Sequence, residues 1–216
     1  YIFLYDLLKN SGAHIVCLSD RIQNEFLNRG NDSTNVSILP CGIDVNSYII
    51  DESDVLYPDR SIVVGKIEPR KRQAFLQHKG LNIDFIGNNV DASFDTNDPC
   101  YFGEQSKEDI MENLTSYANM VLLSSGEAHP FVCLEGMAAG LGLVISEQST
   151  ANLDVTKPFI TVIPDNKLND TKFLKDEIDN NRKVSMNMRK EIRQYCRDNF
   201  DWCAIIKKYK EIIEKI

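Results

Sequence analysis

The chain has 216 residues, 43% of them hydrophobic and 26% charged, a balance that supports one large or two small globular domains without a metal or disulfide staple. A formal net charge of −8 argues against a nucleic-acid partner, which requires clustered Lys and Arg against phosphate. No apolar run reaches the length of a membrane span and no leader is visible, so any membrane contact is expected to be peripheral.

Residues 1–9 are apolar at helical spacing through Ile2, Leu4, Tyr5 and Leu8, and Gly12 ends that helix. A chain that opens at Tyr1 inside a helical pattern is expected to be a piece of a longer protein. Residues 15–18 read as a short buried strand. Ser19 reads as the cap of a helix over 20–29, closed by Gly30. Residues 36–39 form a second strand, Cys41-Gly42-Ile43-Asp44 a turn, and residues 51–60 a polar linker around Pro58.

An alternation of strands and helices follows. Strands are expected at 62–64, 83–86, 101–102, 120–123, 143–145 and 160–162. Helices are expected from Arg70 to Gln77, from Ser106 with Asp109 completing a capping box, and from Phe131 to Ala139. Three more close the chain near 167–180, 184–199 and 202–215. Strands without polar alternation are buried on both faces, so the fold class is α/β, a doubly wound parallel sheet that binds ligand at the carboxyl ends of its strands.

The six cysteines contain no C-x-x-C pair, so no metal site is expected, and a reducing cytoplasm is the simplest setting. Cys17 and Cys133 lie in apolar runs and read as buried thiols. The sequons at Asn31, Asn35, Asn113 and Asn169 are discounted as chance matches in an Asn-rich chain.

Two stretches carry chemistry. In Val64-Gly65-Lys66-Ile67-Glu68-Pro69-Arg70-Lys71 a buried strand ends at a glycine, which lets backbone approach a ligand. Lys66 and Lys71 flank the turn, and two cations beside a helix start suit a diphosphate. In the second, Ser124 to Gly140, a glycine turn leads into an apolar helix. Its two carboxylates, Glu127 in the turn and Glu135 in the helix, can face one crevice. A carboxylate accepts hydrogen bonds from both hydroxyls of a vicinal diol. The bland alternative for Glu135 is a surface residue, but its neighbours Val132, Cys133, Leu134 and Met137 are apolar, so it needs a partner. His129, between the carboxylates, reads as structural rather than as a base, and His14 and His78 as ordinary strand and surface residues.

These motifs resemble those of the GT-B glycosyltransferases of the retaining family-four type: Gly65-Lys66-Ile67 with Lys71, then Glu127 to Glu135 in an E-x7-E spacing running on to Gly140. Residues 13–19 resemble the last strand of that family's acceptor domain, Cys41-Gly42-Ile43-Asp44 its hinge, and the last helix, with Trp202 and Tyr209, the tail that returns to the acceptor domain. The resemblance implies a Rossmann-like donor domain over 46–200, a remnant of the acceptor domain and hinge over 1–45, and a returning helix over 201–216. It implies transfer of a hexosyl unit from a nucleotide diphosphate sugar to a sugar, lipid or glycan hydroxyl with retention, without metal or cofactor, in the cytoplasm or peripherally at a membrane, with a missing acceptor domain as partner.

By the same resemblance, Lys66 and Lys71 hold the diphosphate, Glu135 the ribose, and Glu127 faces the transferred sugar, so Glu127, Lys66 and Lys71 are the expected catalytic groups. Gly65, Gly87 and Asn88 lie beside the nucleotide, and Phe102 and Gly103 near the base. His129 and the backbone of Phe131, Val132 and Leu134 line the sugar and phosphates. Departures are Lys66 for the usual Arg, Arg72 for the usual Gly, Gly142 where Pro is common, and a short stretch from Arg70 to Leu81. The alternatives are a non-catalytic nucleotide-sugar-binding module that needs a partner chain, or another GT-B enzyme such as a nucleotide-sugar epimerase.

Overall fold

The structure is a computed structural model that describes residues 2–50 and 55–216, with side chains from Tyr5 onward. Tyr1 and the first four residues of the expected linker lie outside the described residues.

A small unit comes first. Helix α1 (Ile2–Asn10) and helix α2 (Asp20–Asn28) flank a two-stranded parallel sheet of β1 (Ile15–Cys17) and β2 (Val36–Ile38). Ile15, Cys17, Phe26 and Val36 make its own core. Ser19 does stand at the start of α2, but its side chain makes no cap bond; the hydroxyl is buried without a partner among the described residues.

The larger unit is a parallel sheet of β3 (Tyr57–Val64), β4 (Ile83–Ile86), β5 (Tyr117–Leu122), β6 (Gly142–Ser146) and β7 (Ile160–Ile163), in the order β4-β3-β5-β6-β7. From β3 the chain steps outward to β4, then returns past β3 to β5. The carboxyl ends of β3 and β5 are therefore the switch point, where such sheets leave a crevice. Strand residues alternate between two cores. Ile62, Val64, Met120, Leu122, Leu143 and Ile145 face one, and Val63, Val121, Leu123 and Val144 face the other. Helix α5 (Phe131–Ala138) and helix α7 (Arg189–Phe200) fill the first. Helix α3 (Gln73–Gln77) and helix α6 (Thr171–Asn187) fill the second. Helix α4 (Lys107–Asn113) is capped by Ser106, whose Oγ accepts from the Asp109 amide at 3.0 Å and donates to the Asp109 carboxylate at 2.6 Å, which gives the cap of the expected box but not its reciprocal bond to the Ser106 amide. Helix α8 (Trp202–Ile213) closes the chain.

Three expectations need correction. Residues 57–60 are not linker but the first half of β3, because Tyr57 pairs with Tyr117 across the sheet. The register slips between Tyr57 and Ser61, and Pro58, which has no amide to donate, sits in that irregularity. The helix expected from Arg70 begins at Gln73. Pro69–Lys71 is a 3-10 turn, stopped by Arg72 in the left-handed region at φ 59°. Residues 101–102 form no strand, only a single bridge between Tyr101 and Phe85.

The hinge and the last helix meet. The Ile43 amide donates to Phe200 O at 2.8 Å, and the Trp202 amide to Ile43 O at 3.1 Å. The Trp202 ring lies so close to Gly42 that a Cβ there would be 2.5 Å from it.

Candidate functional site: the crevice at the ends of β3, β4 and β5

The site begins where β3 and β4 run out. Gly65 has φ 127° and Gly87 φ 147°. A Cβ on Gly87 would lie 2.1 Å from Gly65 O, so the two strand ends touch only because Gly87 lacks a side chain. Beyond the glycines the segments stay stitched: the Ile67 amide donates to Asn88 O at 2.8 Å, and the Val90 amide to Ile67 O at 2.9 Å. This lines a cavity of about 280 Å³ with Gly65, Lys66, Gly87, Asn88, Glu104 and Gln105 among its walls. Phe102 opens instead on a neighbouring cavity of about 210 Å³, which shares Ile86 and Gln105 and adds Tyr57 and Tyr117. Gly103 joins the site by backbone, its carbonyl accepting from the Gly87 amide at 2.8 Å.

Lys66 is exposed at the cavity wall. Lys71 reaches back over the strand end: a Cβ on Gly65 would lie 2.8 Å from Lys71 Nζ. The turn between them is shaped by Gln73, fully buried, whose amide group donates to Lys66 O at 2.9 Å and accepts from the Glu68 amide at 3.2 Å. Arg72 points elsewhere, to Leu123 O and the Asp165 carboxylate. Thus Lys66 and Lys71 come to the crevice and Arg72 does not. With the helix starting only at Gln73, the segment that carries Lys66 and Lys71 is turn backbone rather than a helix end.

The second wall is the turn into α5. Its opening amides, Phe131 and Val132, have no partner within a helix start, while the Cys133 amide turns back to Pro130 O at 2.9 Å. Leu134 is fully buried, so only its backbone can face a ligand. Phe131 is half exposed and borders a third cavity of about 500 Å³ that it shares with Val16, Leu18, Tyr48, Lys107 and Trp202. Val132 packs partly against the core.

The two carboxylates and Lys71 lie within electrostatic reach of Cys133 in α5. The fully buried Cys133 thiol is pushed upward by burial and then by both Glu127 and Glu135, with Lys71 opposing. Their settings differ. Glu127 Oε1 accepts from Arg70 Nη1 at 2.9 Å, and the same nitrogen donates to Ser124 Oγ at 3.1 Å and to Gly126 O. Arg70 Nη2 donates to Glu68 at 2.8 Å. Glu135 Oε1 accepts from the Tyr48 hydroxyl at 3.0 Å. Burial pushes Glu135 above the usual carboxylate range, while Tyr48, Lys107 and Lys71 pull it back.

His129 is 8% exposed and turned to the hinge: the Cys41 amide donates to its Nδ1 at 3.0 Å, and the ring stands against Phe200. Burial holds its pKa at about 4. A side chain so placed offers the crevice only its main chain.

Arg70, Tyr48 and Gln73 escape a reading of the sequence as site residues. Arg70 carries a faint signal, a cation in one motif facing an acid in the other. Tyr48 and Gln73 carry none, since their bonds depend on how distant segments meet.

No protein-family model and no curated protein sequence matches the chain. Solved structures do. Sucrose-phosphate synthase from Thermosynechococcus elongatus superposes with a TM-score of 0.73 at 16% identity, over 99% of this chain and 60% of that one. HepE of Anabaena, in complex with UDP and glucose, gives 0.72 at 14% identity, over 100% and 66%. A point mutant of S. aureus TarM, in complex with fondaparinux, α-GlcNAc-glycerol and UDP, gives 0.67 at 12% identity, over 94% and 44%. The chain spans about two thirds or less of the length of each. No helix among the described residues is long and apolar enough to cross a membrane. With its five-stranded parallel sheet, its switch-point crevice and these neighbours, the chain has the Rossmann-like α/β fold of the GT-B glycosyltransferases.

Proposed function

We propose that this chain is the nucleotide-sugar-binding portion of a glycosyltransferase, which moves a hexosyl unit from a nucleotide diphosphate sugar to a hydroxyl acceptor with retention. One observation carries the reading. Two strand ends that meet at Gly65 and Gly87 present Lys66 and Lys71 beside a turn that carries Glu127 and a helix that carries Glu135. Cations, bare amides and paired carboxylates in one crevice match a diphosphate flanked by two polyols.

In this reading Lys66 and Lys71 neutralise the charge that grows on the leaving diphosphate. Lys71 is the better held of the two, lying against Gly65. Glu135 accepts from the ribose hydroxyls. Glu127, oriented by Arg70, accepts from hydroxyls of the transferred sugar, and the opening amides of α5 face the phosphates and sugar. The cavity containing Gly87, Asn88 and Gln105, with Phe102 beside it, takes the nucleoside. The reading calls on no metal and no cofactor. The acceptor, and the groups that position it, belong to a further domain.

The test is a thermal-shift and calorimetric screen with UDP, GDP and ADP and their sugar conjugates. At a hundredfold its dissociation constant a ligand stabilises the fold by roughly 2.7 kcal/mol. One of the three diphosphates is expected to do so, and to lose most of the effect in Lys71→Ala. If none shifts the melting curve, the reading is wrong.

A further inference from the structure

We propose that Tyr48 is a positioning residue for nucleotide recognition: its hydroxyl pins Glu135 in the orientation that accepts from a ribose diol. This rests on the reading of Glu135 as the ribose carboxylate.

Tyr48 lies outside both motifs, 87 residues from Glu135, in the segment that follows the hinge. It is 2% exposed and part of the core beneath α5. Its own backbone is fixed. Its carbonyl accepts from Arg193 Nη1 at 2.8 Å, and its amide donates to Val45 O at 3.4 Å. The phenol is therefore a rigid post, and its hydroxyl donates to Glu135 Oε1 at 3.0 Å.

A carboxylate has two oxygens and about four acceptor directions. Tyr48 occupies one on Oε1 and leaves Oε2 to a ligand. Two cations act on the same carboxylate from other elements: Lys71 from the turn after β3, and Lys107 from the first turn of α4. Asp44 and the Cys196 thiol also act on Tyr48. An unpinned glutamate has free side-chain torsions and two cations within electrostatic reach, Lys107 and Lys71. Pairing with either would tie up the carboxylate that the ribose needs, and pairing with Lys71 also the amine that the diphosphate needs. A neutral donor orients Glu135 without cancelling its charge.

The experiment compares the parent chain, Tyr48→Phe, Glu135→Gln and the double variant. Calorimetry uses whichever of UDP, GDP and ADP binds the parent best, and its 2′,3′-dideoxy counterpart. Phe keeps the ring and removes only the hydroxyl. Tyr48→Phe is expected to melt like the parent and to bind the ribonucleotide about tenfold more weakly, the size of one hydrogen bond to a charged group. It is expected to bind the dideoxynucleotide unchanged, and to add nothing in the Glu135→Gln background.

The pH profile gives a readout that a packing role would not move. Diol binding needs the ionised carboxylate, so affinity falls as the pH drops through the Glu135 pKa. The Tyr48 hydroxyl favours the ionised form, so its removal raises that pKa and moves the fall to higher pH. Equal ribonucleotide affinity in Tyr48→Phe overturns the proposal. So does an equal loss with the dideoxynucleotide or in the Glu135→Gln background, and so does a Tyr48→Phe chain that no longer folds, since the hydroxyl would then be structural. If the parent binds no diphosphate at all, the functional reading falls and takes this one with it. If the parent binds and Tyr48→Phe is silent, only this one falls.

Discussion

The two flanks of α5 hold the same kind of side chain in opposite ways. On the hinge side, half-buried Glu135 and buried His129 are held by neutral partners: the Tyr48 hydroxyl for one, the Cys41 amide for the other. On the loop side, Glu127 is held by a charged partner, Arg70, whose side chain is 44% exposed. The difference teaches what burial demands. A carboxylate in a dry setting is raised in pKa and becomes sensitive to each single donor, so Tyr48 matters there. An ion pair near water contributes about 1 kcal/mol or less to stability. Arg70 therefore aims Glu127 more than it stabilises the fold.

The largest effect expected from this contrast is acid sensitivity on the hinge side. Burial lowers the His129 pKa from its ordinary 6.5 to about 4. Folding favours the neutral ring, so the stability it contributes is full above pH 6.5 and is lost as the pH falls toward 4. A shift of that size is worth roughly 3 kcal/mol. His129→Gln still offers an acceptor to the Cys41 amide but does not titrate. Urea unfolding at pH 7 and pH 4.5 should show a smaller acid loss in the variant than in the parent. An equal loss in both chains would mean that water reaches this flank, and the contrast in burial would collapse.

Next in size is the separation of the two glutamates. Glu135→Gln should weaken a free nucleoside diphosphate by roughly 1.5–3 kcal/mol, the range of a hydrogen bond to a charged group. Glu127→Gln should leave the free diphosphate alone and remove only the extra affinity of the sugar conjugate. Calorimetry of both variants with both ligands decides it: losses of the same size for both ligands at both positions would leave the carboxylates with a single shared role.

The smallest effect belongs to Arg70. Arg70→Ala should cost about 1 kcal/mol or less in chemical unfolding, yet reproduce the Glu127→Gln defect toward the sugar conjugate. A large stability loss with normal conjugate binding would make Arg70 a loop brace instead of an aiming device.

Much of the fold was legible in the chain itself. The apolar runs at residues 62–64 and 143–145 form strands buried on both faces of the sheet, and so does Ile83–Ile86, whose one charged residue, Asp84, is paired with Arg60 and Tyr117. The cap at Ser106 and Asp109 is local chemistry, and the structure has it. Gly65 and Gly87 were legible as strand ends, but that the two ends touch shows only in the structure. The misreadings share a cause. Residues 57–60 are polar enough to pass for linker, yet they belong to a strand that pairs with β5, whose residues lie far along the chain. Arg72 takes a left-handed conformation that the local sequence gives no reason to expect.

The sequence by itself determined which residue types surround the crevice, because strand burial, glycine turns and helix starts are short-range consequences of composition and spacing. Only the tertiary structure decided how each carboxylate is held. Arg70 reaches Glu127 across 57 positions, and Tyr48 reaches Glu135 across 87. Those bonds exist because the sheet order sets β3 against β5 and the hinge packs under α5. No local preference encodes a contact between segments that meet only once the core has formed.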